Sequence, residues 1–204
     1  LSLILAADFI KIHSTKSIFK KEQDTLNCSP KELAEKYSIP FKVVAHNSLQ
    51  SISLIKKHKI NFGIISGARI LKKEIIQEIR YGILNFHPGI LPVIRGLDSM
   101  FWSIYKDVPI GVTAHLINEK IDSGYLVYQQ ELIFSDDENM EAINEKNYHL
   151  QINLIRITLL LVSRNTKFPL LKDGVYNKKM SKKMKLKTIQ TIHQYIKKYS
   201  NQIS

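Results

Sequence analysis

Through its first half the chain alternates short apolar runs with helix-patterned segments, and this alternation restricts the fold more than any other feature. Phe41 to Ala45, Asn61 to Ile65 and Gly82 to Phe86 read as strands, the last two apolar enough to be buried. Between them lie helix signals. Ser29-Pro30-Lys31-Glu32 opens a helix in which Ser29 caps, Pro30 takes the first helical position and Glu32 completes a capping box. That helix should end near Tyr37. Ser51 to His58 and Leu71 to Arg80 also read as helices. Asp98 to Tyr105 is a helix after a loop holding Pro88, Gly89, Pro92 and Gly96. Leu1 to Ala7 is short and apolar, so strand and helix both stay open. Strands alternating with helices imply right-handed βαβ units. The expected class is α/β, with a doubly wound, mostly parallel sheet and helices on both faces. Ligands bind such sheets beyond the carboxyl ends of the strands. Two strand ends qualify: Ile65 to Arg69, and Asn85 to Gly89.

The second half changes character. Ile110 to Ile117 and Tyr125 to Ile133 read as strands. In the first, Val112, Ala114 and Leu116 alternate with Thr113, His115 and Ile117. Ser135 to Glu138 forms a second capping box, predicted to start a long helix reaching Val162. Its acidic cluster suits the helix dipole rather than a metal. A last helix, Thr188 to Tyr199, carries Ile189, Ile192, Ile196 and Tyr199 on one stripe and should dock on something. Two regions follow: a catalytic domain over 1–165 and a short, helical, basic C-terminal extension over 166–204.

Charge separates these regions further. The net charge is +12, yet Gly174 to Ser204 holds eight lysines and no acidic residue. The body is therefore only mildly basic. Such an extension can bind phosphates, although a lysine-rich helix is more often a solvated face. No apolar run is long enough to cross a bilayer, since Leu154 to Val162 is broken by Arg156 and Thr158. No membrane association is expected. The single cysteine, Cys28, excludes an internal disulfide and fits a reducing cytoplasm. No Cys pair or helical His pair marks a metal site, so none is expected. Phe101, Trp102 and Tyr105 read as core rather than as a platform for stacking bases. The first residue is Leu rather than Met, so the natural N-terminus is expected to lie upstream.

The chemistry concentrates at Asn85-Phe86-His87. Residues two apart in an extended chain point the same way, so an amide and an imidazole share one face at a strand end. A fixed donor beside a group that can become cationic suits a developing oxyanion. Asp122, in the polar turn Asn118 to Gly124, could raise the pKa of His87 and order a water. Taken singly, a histidine at a strand end is an ordinary loop residue and a loop aspartate an ordinary turn former.

Read together, the stretch Gly82 to Gln130 resembles the core of the formyltransferases that use N10-formyltetrahydrofolate. The elements occur in order: Asn-x-His-Pro (85–88), Leu91-Pro92, Arg95-Gly96, Gly-x-Thr-x-His (111–115), then Asp122 before Gly124. The close match covers about fifty residues. A looser one runs back to Ser29 and forward through the long helix. The resemblance implies a Rossmann-like fold. It also implies a catalytic triad of Asn85, His87 and Asp122, with Asn85 and protonated His87 holding the oxyanion and Asp122 relaying a proton. Thr113 and His115 would line the same site. Arg69, Ile70 and Leu71 would receive the pterin, and the Glu119 to Asp122 turn, with Ile121, would close over its other side. Leu91-Pro92 is expected to be cis.

The implied donor is N10-formyltetrahydrofolate, without a metal, and the partners are that folate and a small-molecule amine. The favoured acceptor is a nucleotide-linked amino sugar. Glycinamide ribonucleotide follows, and then methionyl-tRNA, for which little chain remains to build a barrel appendage. Hydrolysis of the formyl-folate is a related alternative. A non-catalytic module that binds nucleic acid through the lysines is a distinct one. A homodimer stays open. Two departures stand out. Leu1 to Lys21 lacks the glycine-rich or polar loop that holds the acceptor in the family, and Gly89 stands where the purine enzymes usually have Ser.

Overall fold

A computed structural model describes residues 1–7, 28–65, 70–164 and 167–200. The chain forms two compact units, one of residues 1–63 and 67–83, the other of residues 64–66 and 84–204. The pterin contact expected at Arg69, and the strand end at 66–69, lie outside the described residues.

The first unit begins with β1 (Ile4–Ala6), which settles the open reading of the N-terminal run as a strand. It continues through α1 (Pro30–Lys36), β2 (Phe41–Val43) and α2 (Leu49–Lys57). β1 and β2 pair in parallel, Ile4 opposite Phe41. The capping box of α1 forms as expected: Ser29 Oγ accepts from Glu32 N at 3.2 Å, and Ser29 N donates to Glu32 Oε2 at 2.5 Å. Ser48 caps α2 by accepting from Ser51 N at 3.1 Å. The helix expected over Leu71 to Arg80 is shorter, with α3 spanning only Lys73–Ile76. Beyond it the N–H groups of Glu78, Ile79 and Gly82 each reach the carbonyl three residues back, so the chain continues as tight turns.

The second unit carries a four-stranded sheet in the order β3-β4-β6-β7, built from β3 (Gly63–Ile65), β4 (Ile83–His87), β6 (Gly111–Ile117) and β7 (Gly124–Glu131). β4 runs antiparallel to β6, and β6 antiparallel to β7. The α/β class therefore stands, with parallel pairing at β1–β2 and antiparallel strands where the chain forms a hairpin through the Asp122 turn. Gly124 makes that hairpin possible. Its φ of +112° suits only glycine, and a Cβ there would lie 2.0 Å from Leu116 O. Between β4 and β6 come β5 (Arg95–Gly96) and α4 (Ser99–Lys106).

α5 (Met140–Arg164) starts later than its capping box suggests. Ser135 and Glu138 do bond each other, Ser135 N to Glu138 Oε1 at 3.1 Å, but the box closes on a turn. Asn139 is the true cap, its Oδ1 accepting from Ala142 N at 2.9 Å. The helix packs on β6 and β7 through Ile143 and Leu154. β6 itself buries Val112, Thr113, Ala114 and His115 almost completely. No helix among the described residues is long and apolar enough to cross a membrane.

The expected basic extension folds as part of this unit, as β8 (Tyr176–Asn177), α6 (Lys182–Gln190) and α7 (Ile192–Ser200). One predicted helix is thus two, broken at Thr191. Ile192, Tyr195 and Ile196 are buried, Trp102 Nε1 donates to Lys178 O at 2.9 Å, and Tyr195 Oη donates to Val108 O at 2.7 Å.

Asn147 on α5 supplies the polar counterpart to this apolar packing: its buried Nδ2 donates to Gly111 O at 3.1 Å. Asn147→Ala leaves that carbonyl without its donor. It should lower unfolding free energy by about 1–3 kcal/mol, measured by urea denaturation, without changing secondary structure by circular dichroism.

Candidate active site

β4 and β6 place the chemistry side by side. Asn85 stands opposite His115 and His87 opposite Thr113 in the antiparallel register. Asn85 and His87 share one face of β4, as their spacing requires. The hairpin brings Asp122 to His87: Asp122 Oδ1 lies 3.4 Å from His87 Nδ1. All three expected triad residues therefore meet in one place.

Each group is held by a specific partner. His87 Nε2 donates to Ile94 O at 2.7 Å, which requires a proton on that nitrogen because a carbonyl can only accept. Ser99 Oγ stands 3.4 Å from the same atom. Asp122 Oδ2 accepts from Gly96 N at 2.7 Å. Burial pushes the Asp122 carboxyl up, but the hydrogen bond and charge of His87 and the Gly96 amide together hold it below its ordinary value. Asp122 therefore meets His87 as a carboxylate.

His115 has the opposite state. Its Nδ1 donates to Ser123 O at 2.8 Å, leaving Nε2 as the acceptor for Asn85 Nδ2 at 3.1 Å. Burial pushes this imidazole down to about 4, against the pull of the Ser123 carbonyl, so it is neutral near pH 7. The neutral ring fixes which end of the Asn85 amide faces inward. His115 and Thr113, expected to line the site, are fully buried behind it. His115 nevertheless reaches the site through its bond to Asn85. Thr113 instead organises the loop after β4. Its Oγ1 donates to Gly89 O at 2.7 Å and accepts from Leu91 N at 3.0 Å and Gln129 Nε2 at 2.8 Å. The Leu91-Pro92 bond in that loop is cis, as expected. Gly89 is needed for space, since a Cβ there would lie 3.0 Å from His87 Nε2 and 2.8 Å from Ile94 Cγ2.

Of the expected pterin residues, Glu119 and Ile121 sit exposed on the hairpin turn next to Asp122. Ile70 and Leu71 belong to the other unit, where Asn47 holds their backbone: Asn47 Nδ2 donates to Ile70 O at 2.9 Å and Lys72 N to Asn47 Oδ1 at 2.7 Å. Sequence reasoning missed Asn47, Ser123, Gln129 and the structural task of Arg95. Arg95 was visible only as one letter of the motif. Among the described residues no group of three or more His, Cys, Asp or Glu is placed to hold a metal.

The model of the family described as formyl transferase matches residues 7–158. The chain belongs to the formyl transferase family. A methionyl-tRNA formyltransferase of Prochlorococcus marinus is 30% identical over 190 residues, covering 88% of this chain and 52% of that protein. The chain thus spans about half the length of this relative. Solved structures share the fold. A formyltransferase, PseJ, from Anoxybacillus kamchatkensis superposes with a TM-score of 0.63 at 18% identity, over 96% of this chain and 97% of its own. A sugar N-formyltransferase from a Shewanella species gives 0.59 at 24% identity, over 76% and 62%. Phosphoribosylglycinamide formyltransferase from Bacillus halodurans gives 0.61 at 20%, over 82% and 84%.

The buried neutral state of His115 has a consequence for stability. Its folded pKa lies below the unfolded value, so the unfolded chain binds the extra proton. This stabilisation is present above about pH 6.5 and falls as pH drops towards 4, by up to roughly 3 kcal/mol. Asp122, lowered in the fold, loses its contribution only below its unfolded value, in a more acid window. Urea denaturation at pH 7, 5.5 and 4.5 should show the loss, and His115→Gln should flatten it.

Proposed function

We propose that this chain transfers a formyl group from N10-formyltetrahydrofolate to a primary amine. The observation that carries the reading is the meeting of half-exposed Asn85 with the paired His87 and Asp122 at the end of β4. The donor set fits a formyl oxygen. Among the described residues Asn85 has His115 as its side-chain partner, a bond that takes one of its two amide N–H groups.

When bound, the folate supplies the carbon: its N10–formyl bond is exchanged for a bond to the acceptor nitrogen, and one proton passes from acceptor to N10. The chain's residues supply the rest. Asn85 holds the formyl oxygen as negative charge builds on it, and a fixed donor of this kind contributes about 10²–10³-fold. His87 brings positive charge to the same place. Asp122 keeps that ring charged and accepts the proton that the attacking amine sheds. Ile121, exposed on the adjacent turn, offers an apolar surface to the pterin.

For the acceptor we favour a nucleotide-linked amino sugar. The PseJ structure, which shares this fold, holds UDP-4,6-dideoxy-4-formamido-L-AltNAc with tetrahydrofolate. A second reading, methionyl-tRNA, has its own support. Curated relatives at 30% and 33% identity are methionyl-tRNA formyltransferases, and Lys178, Lys179, Lys182, Lys183 and Lys187 give a phosphate backbone a basic surface.

The test is release of tetrahydrofolate by the full chain against a panel of amino-sugar nucleotides, glycinamide ribonucleotide and methionyl-tRNA. Turnover is expected with one amine. Asn85→Ala, His87→Ala and Asp122→Asn should each lower kcat by about 10²–10⁴-fold. Formate release at the same rate without any amine would make the chain a hydrolase. Failure to bind or turn over the folate would overturn the reading.

A further inference from the structure

The lysine-rich segment carries one residue whose surroundings have nothing to do with charge. β8 pairs in parallel with β5, Arg95 opposite Tyr176 and Gly96 opposite Asn177. Asn177 is 4% exposed, and its Nδ2 donates to Arg95 O at 2.8 Å. Leu97 N donates back to Asn177 O at 3.1 Å. Contact is so close that a Cβ on Gly96, which has a φ of +97°, would lie 2.1 Å from Asn177 O.

The same two residues of β5 hold the Asp122 turn on their other side. Gly96 N donates to Asp122 Oδ2 at 2.7 Å. Arg95 Nη2 and Nε donate to Ile121 O at 2.6 and 3.2 Å, while Nη1 reaches Gly174 O at 2.8 Å. Arg95 and Gly96 thus lie between the catalytic carboxylate and residues 174–177. A two-residue strand containing glycine cannot hold its own geometry, because fixing each backbone residue costs about 1–2 kcal/mol. Order comes from both sides, the Asp122 turn on one and β8 on the other.

We propose that Asn177 is a positioning residue for formyl transfer, fixing the Arg95–Gly96 strand on which Asp122 is set. The inference rests on the formyl-transfer reading given above. The segment is anchored independently of Asn177. Lys185 Nζ bonds Asp98 Oδ1 at 2.5 Å, Met180 N donates to Asp98 Oδ2 at 2.8 Å, and Trp102 and Tyr195 hold Lys178 and Val108. Asn177→Ala therefore loosens β5 without detaching the C-terminal helices.

The experiment uses the full chain with Asn177→Ala and, as a control that weakens the docking elsewhere, Tyr195→Phe. Two readouts are taken well below each variant's melting temperature: kcat and KM, and the titration of the Asp122 carboxyl by carbon NMR, assigned with Asp122→Asn. In Asn177→Ala, kcat should fall about 10- to 100-fold, as expected for sub-ångström misplacement, with KM for both substrates nearly unchanged. The Asp122 midpoint should move up. The other groups that act on this carboxyl, His87 from β4 and His115 from β6, stay in place, so the shift reports the loosened Gly96 amide. Tyr195→Phe should lower the melting temperature and leave both readouts as in the wild type. Wild-type kcat and midpoint in Asn177→Ala would overturn the proposal, as would equal changes in the two variants. If the wild type transfers no formyl group, the functional reading fails on its own, and the Asp122 midpoint still decides whether Asn177 sets this carboxylate.

Discussion

Asp122 is the point on which the site depends. Its two carboxylate oxygens face different elements, one towards His87 on β4 and the other towards the Gly96 amide on β5. A carboxylate this enclosed is costly unless both oxygens are satisfied. The hairpin turn between β6 and β7 delivers it, with Asp122 itself at a φ of +44° and Gly124 at +112°. A residue other than glycine held in the left-handed region persists only where its surroundings over-determine it. Here they do: Arg95 grips the carbonyl of Ile121, and Ser123 accepts from His115. Three consecutive residues of the turn are thus tied to β4, β5 and β6.

The two histidines of the site have opposite tasks because their neighbours differ. His87 Nε2 meets the Ile94 carbonyl, with the Ser99 hydroxyl 3.4 Å away, and His87 Nδ1 meets the Asp122 carboxylate. His115 has one acceptor in Ser123 O and one donor in the Asn85 amide. The second arrangement is satisfied by a neutral ring with one proton. Charge on one ring then disfavours charge on the other, which deepens the effect of burial on His115. The outcome is an Asn85 amide turned by His115, beside a His87 ring bonded to Ile94 O and paired with Asp122.

Much of this was legible in the sequence, and the limits have physical causes. Asn85 and His87 were readable because a strand's period of two fixes their common face. Asp122 entered through the spacing of a known motif. The capping box of α1 was local chemistry and formed as read. At Ser135 only half the box formed, with Glu138 reaching back to Ser135 N, and Asn139 captured the start of α5, since either side chain can cap and the choice is tertiary. Thr113 and His115 lie on the strand read for them, but their bonds to Gly89 O and to Asn85 join residues 24 and 30 apart, which alternation does not show. Asn177 left no trace, because its bond to Arg95 joins residues 82 apart in the chain. The lysines around it drew attention to charge, while the segment's structural task lies in one neutral amide.

The most direct test of this account is the protonation of the ring nitrogens, read from long-range proton–nitrogen correlation spectra of the full chain with its histidines labelled, at pH 6.5. The account predicts a neutral His115 with its proton on Nδ1 and a His87 with a proton on Nε2. A His115 that is cationic at this pH, or neutral with its proton on Nε2, would contradict it, because the Asn85 amide would then have no acceptor to turn towards.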